Sequence, residues 1–268
     1  MNVFITGAGS GVGLALAKLL HSQGHLVCGT TRNPAAVAGA HFKLIAMEMK
    51  HPASVKTGYQ EALTYLDNRI DVLVLNAGYG ELGSVEDTPI EDYRDMMEVN
   101  YLSQVELVKA VLTAMRQRKS GYLLFTGSVV FELQFPFKAG YCATKSALSA
   151  FALSLAHEVA PFGIRTHLFE PGWIRSEFHN RLVPRTAASS VYYKALKPFL
   201  DFSSDQNIKL PNGEQAAAIM AKVLTTPAPL RIPIGPQTPK LKLLKRLLSD
   251  NQFQFLLRFM LRRKNQSS

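Results

Sequence analysis

Cys28 and Cys142 are the only cysteines in 268 residues, so a multi-bridge scaffold and a four-cysteine zinc site are both excluded. One bridge between them stays compatible with the sequence, although two lone thiols suit a reducing compartment better. Long hydrophobic runs are missing as well: no apolar stretch approaches the ~20 residues that span a bilayer. A secretory leader has no room, because the strand-like run Asn2-Val3-Phe4-Ile5-Thr6 follows Met1 at once. These absences predict a soluble cytoplasmic protein. Charge is modest, at 19% of residues against 47% hydrophobic, which removes the disordered and fibrous classes. Acidic residues are the short side of the balance: 20 Asp+Glu face 30 Lys+Arg, a net of +10. An excess of this sign suggests an anionic partner such as nucleic acid, a lipid surface or a phosphorylated cofactor, and carries no information on fold.

At about 150 residues per domain the length allows one large domain or two small ones. Internal repeats and low-complexity tracts are absent, which argues against solenoids. What recurs is alternation. Short β-rich runs at residues 3–6, 26–31, 72–75, 122–126 and 165–169 are separated by segments with helical spacing, such as Val105, Val108, Leu112 and Met115. Strands alternating with helices predict crossover units and a parallel sheet covered on both faces. The runs Val72-Leu73-Val74-Leu75 and Tyr122-Leu123-Leu124-Phe125 are continuously apolar, as doubly buried strands require. The expected fold is therefore α/β, a single domain with a doubly wound parallel sheet, and such sheets bind ligands beyond the carboxyl ends of their strands. Residues 1–230 are expected to form the catalytic body. Within it, residues 173–210 lose clean periodicity and carry Trp173, Phe178, Tyr192, Tyr193, Phe199 and Phe202, the pattern of a substrate lid. A helix is expected to resume at residues 212–224. Residues 231–268 read as a basic, amphipathic, helical extension.

Thr6-Gly7-Ala8-Gly9-Ser10-Gly11-Val12-Gly13 joins the first strand to a helix with Leu16, Leu19 and Leu20 on one face. Glycines there permit a sharp turn and close approach of backbone to a pyrophosphate, and the helix N-terminus offers its free N–H groups to the anion. The second strand ends Thr30-Thr31-Arg32-Asn33 without a carboxylate. An acid at that point accepts from a ribose 2′-OH, whereas an arginine accommodates a 2′-phosphate. Thr31 and Arg32 thus favour NADP(H), with NAD(H) as the alternative. Tyr141 and Lys145 lie four apart at the start of a predicted helix and share a face. An ammonium one turn away favours a phenolate, which would lower a pKa ordinarily near 10. Ser128 follows the strand at 122–126, Asn76-Ala77-Gly78 follows the strand at 72–75, and Asn100 lies in the helical stretch after it.

These motifs, in this order and with Pro171-Gly172, resemble the short-chain dehydrogenase/reductase family in its short form, over about residues 1–224. The resemblance implies a Rossmann fold, and a role for each matching position. Tyr141 would exchange the proton with an alkoxide, and Ser128 would hydrogen-bond the substrate oxygen. Lys145 would hold the nicotinamide ribose and depress the Tyr141 pKa, while Asn100 would hold a water linking Lys145 to solvent. Gly7, Ser10, Gly11, Val12 and Gly13 would wrap the pyrophosphate. Asn76, Ala77 and Gly78 would lie along the adenosine ribose, and Pro171, Gly172, Ile174 and Ser176 along the nicotinamide. Glu48 stands where the family commonly has an Asp near adenine. No metal is implied. Cys142 and His157 are read as a packing residue and an exposed helix residue.

Phe131, Phe135 and Phe137 lie between Ser128 and Tyr141. With the aromatic lid they suggest an apolar substrate pocket, and packing of lid against core is the other use for the same rings. Hydroxysteroid- and retinol-type dehydrogenases look similar here and at Arg231-Ile232-Pro233-Ile234-Gly235. The implied activity interconverts a carbonyl and an alcohol on a hydrophobic small molecule. A non-catalytic NADP-binding regulatory protein is the rival reading, against which an intact Ser128, Tyr141 and Lys145 set argues. No stripe of basic and aromatic residues marks a nucleic-acid binder. Of the net +10, +8 falls in residues 231–268, which hold nine Lys/Arg and one acid. Residues 240–264 combine leucines and phenylalanines with that charge. They can lie on a membrane surface, cover the protein's own core, or meet a partner subunit in a homo-oligomer.

Overall fold

The structure, a computed structural model, describes residues 1–175, 182–204 and 210–256. Strands β1 (Asn2–Ile5), β2 (Leu26–Thr31), β3 (Lys43–Ala46), β4 (Val72–Leu75), β6 (Gly121–Thr126), β7 (Ile164–Pro171) and β9 (Arg231–Ile234) form one sheet in the order β3-β2-β1-β4-β6-β7-β9. Every pairing in it is parallel. A second, two-stranded sheet joins β5 (Glu81–Leu82) to β8 (Val183–Pro184). The helices are α1 (Gly11–Ser22), α2 (Pro52–Tyr65), α3 (Ile90–Met97), α4 (Ser103–Gln117), α5 (Val130–Leu133), α6 (Ala139–Val159), α7 (Tyr193–Ser204), α8 (Gly213–Lys222) and α9 (Thr238–Leu247).

Successive residues of a strand point to opposite faces, and the core divides accordingly. Phe4, Leu73, Leu75, Leu123 and Phe125 pack on one side with Val108 of α4 and Leu148 of α6. Val3, Ile5, Val72, Val74 and Leu124 pack on the other with Leu16 and Leu20 of α1 and Met220 of α8. All four residues of β4 are buried, as its unbroken apolar run requires. Cys28 belongs to the first cluster and Cys142 to a smaller one with Met96, Val130 and Tyr141. Both thiols are buried and free. Helix α8 starts one residue after Asn212, whose side chain accepts from the Gln215 N–H while Gln215 reciprocates, a capping box that fixes the helix start.

Residues 231–234, assigned from sequence to the C-terminal extension, are the sheet's seventh strand. Pro233 is tolerated because β9 is an edge strand and needs no ladder on its outer side. The extension continues as α9 and the residues after it, which pack on the body: Leu241, Leu248 and the buried Phe253 meet Val129, Leu133 and Phe135. Charge ties it down as well. Glu170 at the end of β7 is fully buried, accepts from Arg231 Nε at 2.5 Å, and pairs with Lys242 of α9. Arg231 also pairs with Glu132 of α5 and lies 5.0 Å over the Phe131 ring.

The described part of residues 173–210 is tied to the loop after β5 and to α3. Arg185 Nε lies 2.7 Å from Asp92, Thr186 Oγ1 accepts from Ser84 N at 2.8 Å, and Ser190 donates to Asp87 at 2.7 Å. Beside this latch Glu81 is buried, which together with Asp92 pushes its carboxyl up to about 7. No described helix is long and apolar enough to cross a membrane.

Candidate active site

A cleft of about 600 Å³ opens along the carboxyl ends of the main strands, within the range of small-molecule sites. Because β1, β2 and β3 occupy one half of the sheet and β6 and β7 the other, their loops divide the cleft in two. The first half carries Gly7, Ser10, Gly11, Val12, Thr31, Arg32 and Glu48. The second carries Ser128, Tyr141, Lys145, Pro171, Gly172 and Ile174, and Asn76-Ala77-Gly78 from β4 lies between.

Thr6, fully buried at the end of β1, organises the middle. Its hydroxyl accepts from Asn76 N at 2.9 Å and Ala77 N at 3.0 Å. Asn76 Nδ2 donates back to Thr6 O and Gly7 O at 3.1 and 3.2 Å. Gly7 adopts φ +69°, and a Cβ there would fall 2.9 Å from Ala77 Cα. A Cβ on Gly13 would overlap the Gly7 carbonyl and the Asn76 amide. Gly13 therefore does not line the cleft; it lets α1 press against the loop. Bare backbone at the start of a twelve-residue helix, with no acid in its first turn, fits the pyrophosphate of a dinucleotide. Arg32 is exposed at the cleft wall.

Tyr141 is 8% exposed and its hydroxyl is hydrogen-bonded to the Ser128 side chain. Ser128 Oγ also accepts from Val130 N at 3.3 Å, so α5 fixes its position. Burial drives the Tyr141 pKa above its ordinary value, and the Ser128 bond opposes this only in part. The same burial lowers Lys145 to about 8. Lys145 Nζ donates to Thr126 O at 2.8 Å and lies 5.9 Å from the Tyr141 ring centroid. Loss of solvent therefore sets the Tyr141 pKa here, and Lys145 is not among the groups that lower it. Desolvation acts on both groups, and it favours neutral phenol and neutral amine alike.

Asn100 stands behind the cleft, fully buried. Its amide clamps the Tyr79 backbone, accepting from N at 3.0 Å and donating to O at 2.8 Å, and donates to Thr144 Oγ1 at 3.0 Å. The residue sits in a π-helical turn, Glu98–Leu102, a local widening of the kind that recurs at functional positions. Ser176 and Phe178 lie outside the described residues, as do Leu257, Met260 and Leu261 of the tail.

The aromatic residues divide between the cleft and internal packing. Phe135 and Trp173 line the cleft and meet edge to face at 5.0 Å. Phe137 instead packs on Phe199 of α7 at 5.3 Å. Tyr79, Asp95, Lys50 and Lys138 also line the cleft, and sequence reasoning passed over all four. For Lys138 a signal existed: it lies three residues before Tyr141. Among the described residues no cluster suited to a metal ion occurs.

Residues 1–186 match the family model described as short chain dehydrogenase. The chain is 30% identical over 260 residues to a 3-ketodihydrosphingosine reductase of Bacteroides thetaiotaomicron, covering 96% of each. It is 32% identical over 248 residues to oxidoreductase BOA17 of Botryotinia fuckeliana, covering 87% of this chain and 88% of that one. Among solved structures, a short-chain dehydrogenase from Streptomyces avermitilis superposes with a TM-score of 0.78 at 29% identity, covering 89% of both chains.

Proposed function

The chain belongs to the short-chain dehydrogenase/reductase family, and within it we propose an NADP(H)-dependent oxidoreductase that interconverts a carbonyl and an alcohol on a largely apolar substrate. The hydrogen bond between Ser128 and Tyr141 inside the cleft carries this reading. A substrate oxygen placed against both hydroxyls receives a hydrogen bond from Ser128, which stabilises charge growing on it. Tyr141, held protonated by burial, supplies the proton that completes an alcohol. Lys145 anchors to Thr126 beneath them, and Pro171, Gly172 and Ile174 form the facing wall. The nicotinamide, when bound, supplies the hydride. A binding protein without turnover would gain nothing from a buried acid aimed into the cleft. The ketone in the name of the Bacteroides relative supports the same chemistry on a lipid-like substrate. A screen of NADPH and NADH oxidation against steroid, retinoid, fatty-acyl and small-ketone substrates tests the reading. Turnover of at least one class, faster with NADPH, is expected; oxidation of neither cofactor with any class would refute it.

Arg32 supports NADP(H) because it is exposed at the cleft wall beside Thr31, with no carboxylate at the end of β2. Replacing Arg32 with Asp should weaken NADPH binding roughly 10- to 150-fold, the equivalent of a hydrogen bond to a charged group, and should improve NADH binding. Fluorescence titration of both cofactors reads this directly. An unchanged ratio of the two affinities would reverse the assignment.

The tail's outer face supports contact with anionic lipid. Leu243 and Leu247 of α9 are 59% and 73% exposed, and Lys240 and Arg246 beside them are exposed too. Apolar and basic groups on one exposed helix face suit an interfacial helix. The double substitution Leu243→Glu and Leu247→Glu should therefore reduce sedimentation with phosphatidylglycerol vesicles several-fold and leave turnover unchanged. Equal sedimentation of variant and wild type would leave α9 a cover for the protein's own core.

A further inference from the structure

The turn that carries Asn100 is gripped from two sides. In its π-helical geometry Ser103 N reaches back five residues to Glu98 O. Such turns are rare and arise as single insertions in α-helices, so bonds from outside the turn decide where it stands. On one side the grip is Gln104, the second residue of α4, which is fully buried. Its Nε2 donates to Ala77 O at 2.9 Å and to Val99 O at 3.3 Å, and its Oε1 faces the Thr6 hydroxyl at 3.5 Å. One side chain thus joins the end of β1, the loop after β4 and the π-helical turn. Ser103, equally buried, adds a bond to Met49 O at 2.6 Å. Ala77, Val99 and Met49 line the cleft, whereas Gln104 stands behind it.

The other side of the turn belongs to α6. Asn100 Nδ2 donates to Thr144 Oγ1 at 3.0 Å, and Thr144 Oγ1 donates to Tyr141 O at 2.9 Å. Val99 and Asn100 are consecutive, so the amide that holds the Val99 carbonyl also sets where the Asn100 side chain meets α6. A chain of bonds therefore runs from the loop after β4, through Gln104, the π-helical turn and Thr144, to the backbone of Tyr141. Packing alone does not call for a glutamine there. A buried amide is costly unless it is hydrogen-bonded, and methionine or leucine would fill a similar volume.

We propose that Gln104 is a positioning residue for the reaction, a buried bridge that sets Asn100 and the Tyr141 backbone against the loop bordering the nucleotide. This rests on the reading that Tyr141 is the acid and that Ala77 lies along the cofactor. Gln104 meets neither ligand, so its loss removes no reacting group. It lets the two halves of the cleft settle at a slightly different spacing. A misplacement of about 1 Å from a change remote from the chemistry can cost roughly 10²-fold in rate.

Gln104→Met in the full-length protein keeps the length of the side chain and removes its amide. Assayed well below its own melting temperature, so that rates refer to folded protein, it should lower kcat about 10- to 100-fold. Cofactor binding, read by fluorescence titration, should weaken about three- to tenfold, the equivalent of one hydrogen bond. Thr144→Val cuts the chain beyond the π-helical turn: it should lower kcat by a similar factor and leave cofactor affinity within about twofold. The double variant should be no more than about threefold slower than the slower single variant, because residues acting through one network are not additive. Gln104→Asn, whose amide falls a methylene short, takes the place of the methionine variant if that protein does not fold. A lowered melting temperature with kcat and cofactor affinity both unchanged would confine Gln104 to stability and overturn the proposal. So would single effects on kcat that simply multiply in the double variant. If the wild type turns over no substrate, the catalytic reading fails by itself, and cofactor affinity still decides the bridge: weakening in Gln104→Met but not in Thr144→Val supports it, and equal affinities in Gln104→Met and wild type overturn it.

Discussion

Replacing Tyr141 with Phe should reduce turnover by about 10²- to 10⁴-fold, the usual cost of losing a positioned acid or base. Cofactor affinity should stay within about twofold, because the phenyl ring still fills its place among Met96, Val130 and Cys142. The size of the effect follows from the site's electrostatics. Burial raises the Tyr141 pKa, so at neutral pH the hydroxyl carries its proton and is ready to donate in the reducing direction. Water cannot take over, since Tyr141 is buried and Ser128 is 5% exposed. Lys145, lowered to about 8 by burial, is mostly charged at pH 7 and loses its charge as the pH rises through that value. The reducing activity of the wild type should therefore fall above about pH 8, whereas the residual activity of Tyr141→Phe should not follow that profile through proton donation. Activity of the variant within a few-fold of wild type, over the whole pH range, would remove Tyr141 from the mechanism.

Much of this site was legible because its residues sit at strand ends that the apolar pattern already marks. The glycine loop after residues 3–6, Asn76-Ala77-Gly78 after Val72–Leu75, and Ser128 after the β6 run all converge once those strands lie parallel. Two strands of the main sheet were less visible, for physical reasons. β3 is only Lys-Leu-Ile-Ala, half of it exposed, too short to show a period. β9 contains Pro233, which reads as a turn in isolation and is acceptable only at an edge. The π-helical turn around Asn100 has no sequence signature, because it arises where α3 runs into α4 without a break. The excess charge assigned to an appendage is also partly internal: Arg231 and Lys242 are bound to Glu170 and Glu132.

Removing both cations from that cluster should be the most destabilising change in the C-terminal region. Glu170 is fully buried and depends on Arg231 and Lys242 alike. In Arg231→Met with Lys242→Met its carboxylate would be left buried without an ion-pair partner, a situation that typically costs about 3–5 kcal/mol. At about 2–4 °C per kcal/mol for a domain near this size, the melting temperature should drop by roughly 6–20 °C. Adding Glu170→Leu to the pair should restore most of that loss, because replacing a whole buried cluster by apolar groups is often neutral. Exposed ion pairs contribute only about 0–1 kcal/mol, so a double variant melting within about 2 °C of wild type would mean that solvent reaches the cluster. Turnover separates stability from positioning. Glu132, held by Arg231, lies on α5, whose Val130 N–H donates to Ser128. The triple variant regains the buried packing but not the Arg231–Glu132 link, so its turnover should remain below wild type even where its melting temperature recovers. Full recovery of both would confine the cluster to stability and leave α5 held by its apolar contacts with Leu241, Leu248 and Phe253.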